Sequence, residues 1–173
     1  ELNEIGEAMA RNVPDSYRMG MELMLGVKPC QWFQWDINGT LSKNRVKNFT
    51  EKLYEDEWKN PIEVSHGNTP IAFSPDLILN NRFSFSYRGF EVALQSQYVS
   101  KQYMSNARQA DQTLDAYFVS NLNLAYTFKL PHVKSVTAGF TIYNLFNAEY
   151  ENNGYAGSGY KIVKGEVERY NYA

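Results

Sequence analysis

A chain whose side chains alternate apolar and polar with period two, over runs of about ten residues, folds as extended strands with one greasy and one wet face. This sequence alternates in that way along most of its length. Tyr17, Met19, Met21, Leu23 and Leu25 interleave with Arg18, Gly20, Glu22, Met24 and Gly26. Phe33, Trp35, Ile37 and Leu41 oppose Gln34, Asp36, Asn38 and Thr40. Leu77, Leu79, Phe83, Phe85 and Tyr87 oppose Asn80, Arg82, Ser84 and Ser86, and then Phe90, Val92, Leu94 and Tyr98 oppose Glu91, Gln95, Gln97 and Lys101. Leu114, Ala116, Phe118, Leu122, Leu124, Tyr126 and Phe128 fall opposite Asp115, Asn121, Asn123 and Thr127, with Ser120 interrupting the apolar row. Val136, Ala138, Phe140 and Ile142 begin the last run. Strands are expected near 17–26, 30–44, 76–88, 90–104, 114–128 and 136–147.

The connections alternate in length. Gly26-Val27-Lys28-Pro29 and Lys129–Ser135 read as short links, and Arg88-Gly89 as a tight hairpin in which glycine accepts a positive φ. Residues 1–16, 42–75, 105–113 and 148–173 read as loops. The second of these carries Pro61, Gly67, Pro70 and Pro75, with Glu51, Glu55, Asp56 and Glu57 around Trp58 as a solvated acidic group. A soluble sandwich has no reason to alternate its loop lengths, whereas a transmembrane barrel has short turns on one side and long loops on the other. The 13 Tyr, 10 Phe and 3 Trp sit in a chain whose mean hydropathy is only -0.50. Trp32, Phe33, Tyr87, Phe90, Tyr126 and Phe128 fall near the short links, and Tyr98, Tyr103, Phe118 and Tyr150 near the long loops, as two interfacial girdles require. No run approaches the ~20 apolar residues of a membrane helix, but a spanning strand needs only about 9–11. The expected class is all-β: a segment of an antiparallel transmembrane β-barrel. Six strands cannot close such a barrel, whose smallest single-chain form has about 8, so the remaining strands are expected outside this sequence.

Little in the chain points to catalysis. His66 and His132 lie in loop or turn without a second ligand at usable spacing, so both are expected to be solvent-exposed, and no metal site is expected. Cys30 is the one cysteine; it can form no intrachain disulfide, and no histidine is placed to activate it. Net charge is -2, which argues against a nucleic-acid binder held by phosphate contacts. No catalytic residue and no cofactor is expected.

The last run ends in Asn144-Leu145-Phe146-Asn147, followed by Tyr150 and Glu151. This ending resembles the penultimate strand of TonB-dependent outer-membrane receptors. Gly6-Glu7-Ala8, Asn12, Ser16-Tyr17-Arg18, Gly20 and Glu22 are similar to the start of a strand in Bacteroidetes-type members. Ile71–Pro75 and Tyr98–Tyr103 also resemble features of that family. The resemblance implies about six strands of a barrel of about 22, located before the final strand, in a C-terminal barrel segment that lacks the plug, the TonB box and the final strand. It implies TonB-dependent active transport of a ferric siderophore, haem, cobalamin or glycan across the bacterial outer membrane. The implied partners are the TonB complex acting through a plug domain, outer-membrane lipid, the nutrient and a surface lipoprotein.

The polar face is then the lumen. Its residues Arg82, Gln95, Gln97, Lys101, Asn121 and Asn123, with loop residues Tyr103, Arg108, Tyr150 and Asn152, are the candidates for contact with ligand or plug; the plainer expectation is that they bond to one another, to water and to a plug. A passive porin shares the strands and girdles without a plug. A soluble β-rich binding module would instead pack the apolar faces together.

Overall fold

A computed structural model describes residues 15–55 and 60–172. The expected loop over 1–14, with Gly6-Glu7-Ala8 and Asn12, lies outside the described residues, as do Asp56, Glu57 and Trp58 of the acidic group. The strands are β1 (Ser16–Cys30), β2 (Phe33–Leu53), β3 (Ile62–Pro70), β4 (Leu77–Tyr87), β5 (Phe90–Val99), β6 (Gln102–Tyr103), β7 (Thr113–Leu114), β8 (Tyr117–Leu130), β9 (Val133–Ile142), β10 (Gly157–Val163) and β11 (Glu166–Tyr172). Every ladder is antiparallel, and the described residues include no helix. The fold is all-β, as the alternation requires.

The main sheet runs β1-β2-β4-β5-β8-β9, with β3 paired to the far half of β2. Its register keeps the two faces separate from strand to strand. Phe33, Phe85, Val92, Leu124 and Phe140 form one cross-strand row, and Asp36, Arg82, Gln95 and Asn121 form a row on the other face. A one-residue slip anywhere would exchange the faces, so the pattern fixes the pairing. On the apolar face Leu23 is 68% and Phe140 64% exposed. No second layer covers this face among the described residues, contrary to a module that packs its apolar faces together. The aromatic girdle by the short turns forms two groups of rings: Trp32 and Phe33 pack on Phe85, and Phe33 and Trp35 on Phe83, while Tyr126 packs on Phe90 and Phe128.

Several boundaries differ from the expected ones. Gly26–Pro29 is no turn: β1 continues to Cys30, a register shift between Val27 and Cys30 absorbs Lys28-Pro29, and the reversal falls at Gln31-Trp32. Proline is tolerated there because a bulge needs no ladder donor. The loop expected over 42–75 is largely strand, since β2 runs on to Leu53 and pairs with β3 in a hairpin standing above the sheet. The strand expected over 90–104 stops at Val99, and that over 114–128 begins at Tyr117; Gln102–Tyr103 and Thr113–Leu114 pair with each other instead. The strand expected to reach 147 ends at Ile142. Asn144 and Asn147 take the left-handed backbone conformation that asparagine tolerates (φ 50 and 51) and close a turn, Asn147 N to Asn144 O at 2.9 Å. Residues 148–173, expected as loop, contain the β10–β11 hairpin.

The short turns have sharp requirements. Arg88 and Gly89 both have positive φ (49 and 83), the signature of a type I′ turn. A Cβ on Gly89 would stand 2.7 Å from the carbonyl oxygen of Thr127, whose amide already donates to Gly89 O at 2.8 Å. Gly89→Val is therefore expected to cost about 1–3 kcal/mol, read as a lower urea midpoint of the refolded protein, whereas Arg88→Asn, at a position asparagine tolerates, leaves the midpoint unchanged or raises it.

The buried apolar residues lie mostly beyond the sheet. Val46, Leu53, Ala107, Leu114 and Tyr160 are each under 5% exposed, and all belong to the hairpins and turns at the long-loop end. The wall keeps its greasy face outward, and the chain's packed core is a layer of loops.

Candidate functional site

On the polar face the cross-strand neighbours join into an amide ladder. Gln97 Nε2 donates to Asn80 Oδ1 at 3.0 Å, and Asn80 Nδ2 donates to Asn38 Oδ1 at 2.9 Å. One row nearer the short turns, Asp36 and Arg82 are register partners. Each is bound elsewhere: Asp36 accepts from Gln34 Nε2 (2.9 and 3.0 Å), and Arg82 Nε donates to Ser84 Oγ (3.1 Å). Gly26, opposite Asp36, carries no side chain and leaves room beside these groups. Asp36, Asn38, Asn80, Arg82 and Gln95 share the lining of an open concavity of about 240 Å3 with Met24, Leu25 and Ile37, and its surface is mostly apolar. Charged and amide groups facing open space in this way can hydrogen-bond a polar solute or a polar protein surface; they hold no nucleophile activated by a base.

The ten candidate residues divide among several environments. Arg82 and Gln95 line the concavity, and Gln97 is in the adjoining ladder. Asn121 accepts from the backbone amide of Asn144 at 2.9 Å and Asn123 from Thr141 Oγ1 at 3.0 Å, so both fasten the end of β9. Tyr150 stacks on Tyr117 with ring centroids 4.5 Å apart. Tyr103 belongs to β6, and its carbonyl accepts from the Phe73 amide at 2.9 Å. Lys101, Arg108 and Asn152 are exposed and separate from the concavity.

The loop layer supplies a second polar centre that sequence reasoning missed. Glu51, on the far half of β2, accepts two bonds from Arg169 of β11 (2.7 and 3.1 Å) and contacts His66 Nε2 of β3 at 2.8 Å. The Glu51 and His66 side chains are only 15% exposed. His66 is therefore not the solvent-exposed residue expected, and Glu51 is not part of a solvated loop: the β2–β3 ladder turns both side chains toward β11. Arg169 also donates to Ser158 Oγ and Asn171 Oδ1, each at 2.8 Å, and Asn171 Nδ2 in turn donates to Asp111 at 3.0 Å. Gln112, wholly buried, accepts from Ser105 Oγ and donates to the Gly157 carbonyl and Ser158 Oγ. These contacts tie β10–β11 to the β2–β3 hairpin and to the β6–β7 loop. Glu51 and Arg169 are too far apart in sequence to suggest their pairing. The hairpin itself was readable, since Lys164-Gly165 separates two alternating runs and both residues have positive φ.

Tyr160 completes the attachment. Its amide donates to Tyr54 O, and its hydroxyl to Asn60 O. Burial, and then the nearby Glu55 carboxylate, hold the phenol above its ordinary pKa. The folded state thus favours the neutral phenol, and docking of β10–β11 is undiminished below pH about 10. As pH rises past that point, ionisation in the undocked chain draws the equilibrium away. In a phenolate absorbance titration Tyr160→Phe should show one fewer late-titrating tyrosine than the wild type.

The chain matches the family model described as TonB dependent receptor-like, beta-barrel over residues 4–145, more than half its length. No curated protein matches the chain with significance.

Proposed function

The chain belongs to the TonB dependent receptor-like β-barrel family, and from that premise we propose that it forms a section of the barrel wall of a receptor that actively imports a scarce nutrient. The family implies a bacterial outer membrane and transport rather than catalysis. In this reading the apolar face meets lipid, the polar face lines the lumen, the short turns meet the periplasm and the loop layer faces outward. The section lies toward the C-terminal end of a Bacteroidetes-type barrel of about 22 strands, one strand short of its end. The domain reading remains one partial barrel domain over 1–173, with plug, TonB box and final strand elsewhere. Energy reaches the plug through TonB, and the cargo is a ferric siderophore, haem, cobalamin or glycan, delivered with a surface lipoprotein as partner.

The observation that carries this reading is the separation of faces across the sheet: one row after another is apolar outward and amide-rich or charged inward. In a plugged barrel, groups such as Arg82, Gln95 and the amide ladder are where cargo or plug would bind.

The test is uptake in cells carrying the natural gene, offered labelled members of the four cargo classes. Accumulation of one class that stops when the proton gradient is collapsed or TonB is deleted, with surface binding retained, is the expected result. Uptake indifferent to both would make the protein a passive porin.

A further inference from the structure

The short-turn end of the wall is basic as well as aromatic. Lys28 precedes the first turn, Arg88 forms part of the second, and Lys129, His132 and Lys134 surround the third; all five are exposed. The three turns are neighbours: Ser86 N donates to Trp32 O, and Thr127 N to Gly89 O. Within residues 27–34, 84–92 and 126–136 the one carboxylate is Glu91, which belongs to the polar face, opposite Ser86 and Ala125.

One of the cations is tied to the apolar face by a ring contact, and a second lies beside it. The Arg88 guanidinium lies over the Tyr87 ring, 5.2 Å from its centroid, and Tyr87 pairs with Phe90 in the outward row. Lys134 lies in the register shift that brings Val133 opposite Leu130, and it is exposed directly beside that apolar pair. Beside them the exposed rings of Trp32, Tyr87, Phe90, Tyr126 and Phe128 form the apolar belt. The long-loop end is different, since Asp76, Asp115 and Glu149 there are mixed with Arg45 and Lys47, and Arg45 is paired with Asp76 at 3.2 Å. Among the described residues, the short-turn end therefore presents unbalanced positive charge beside its apolar face, and the long-loop end presents both signs.

We propose that this rim is a docking surface for anionic phospholipid headgroups. The rings take the glycerol and upper acyl region, and Arg88, Lys134 and Lys129 take the phosphates, each cation favouring an anionic surface by roughly fivefold. The inference rests on the membrane reading and adds to it a preference among lipids. It requires that the effect be electrostatic, and so weaken as the Debye length shortens.

The experiment uses the full-length receptor in detergent, offered equal amounts of phosphatidylglycerol and phosphatidylethanolamine, with retained lipid measured by mass spectrometry. The wild type is expected to retain phosphatidylglycerol preferentially. The preference should fall about tenfold or more in the triple variant Arg88→Gln, Lys129→Gln, Lys134→Gln, and should also fall when salt is raised from ~0.15 to ~1 M. Lys164→Gln, in the β10–β11 turn, should leave it unchanged. If the triple variant fails to fold, the single variants Arg88→Gln and Lys134→Gln replace it, each with a loss of several-fold. A folded receptor with no preference, or with one that these variants do not alter, overturns the inference and leaves the membrane reading standing. A protein that retains neither lipid and stays dissolved without detergent overturns both.

Discussion

Leu114→Ala is expected to loosen the outer loop layer by about 2–5 kcal/mol while leaving the wall of the sheet intact. Leu114 is 1% exposed and sits where the β6–β7 loop, the approach to β10 and the wall meet. A Cβ on Gly154 would come within 3.3 Å of Leu114 Cδ2 and 2.5 Å of Met104 Sδ, so the segment leading into β10 packs directly on these two side chains. Truncation leaves a cavity that the surrounding short ladders are poorly able to fill, because β6 and β7 contribute two residues each. Hydrogen exchange reads the effect by location. Amides of β10–β11 and of the β6–β7 ladder should exchange at least about thirtyfold faster, at tenfold per 1.4 kcal/mol. Those of β4, β5 and β8 should not change. Uniform acceleration across the wall would mean that the loop layer is no separate unit.

Glu51→Ala is the second large effect. It removes the acceptor of two Arg169 bonds and the partner of His66, leaving a guanidinium that is 22% exposed next to vacated space. Breaking a fully buried pair costs about 3–5 kcal/mol; partial exposure brings the expectation to about 1–3 kcal/mol. Glu51→Gln keeps the shape and an acceptor, and should cost less. The double variant Glu51→Ala, Arg169→Ala should be milder than the sum of its parts, because no uncompensated charge remains. The readout is again exchange in β10–β11, compared with denaturant unfolding of the sheet. Additive losses would show that the two side chains do not act through each other.

Both predictions concern residues that alternation alone does not single out. Period two is a property of one strand, and it places Arg82, Gln95 and Asn121 on a common face without further information. It does not say that Asn121 spends its acceptor on the Asn144 amide, or that Asn80 is the middle of a ladder between Asn38 and Gln97. Those facts depend on register, which long connections leave open until the strands have paired. The extension of β2 past Asn44, the end of the expected strand, is hidden for a related reason. Lys43, Arg45 and Lys47 look like loop residues in sequence, yet they alternate with Asn44 and Val46, which are 8% and 1% exposed; the strand continues because β1 and then β3 satisfy its backbone. Pro61 and Pro70 read as loop markers in sequence, yet Pro61 immediately precedes β3 and Pro70 is its last residue, as an edge strand allows. In β10–β11, expected as loop, the rings of Tyr172 and Tyr170 cover Gly157 and Gly159 across the ladder.

The wall is legible residue by residue: its class, its faces, its aromatic girdle and the end at which its turns are short. Those features arise from local chemistry, from a two-residue repeat and from turn residues that demand particular φ values. The assembly of the loop layer has no such local signature. Glu51, His66, Gln112, Tyr160 and Arg169 come from distant parts of the chain, and they meet because the sheet holds β2, β5 and β9 in their places. A contact between residues more than a hundred positions apart leaves no periodic trace in the sequence, because the geometry that joins them is supplied by the sheet.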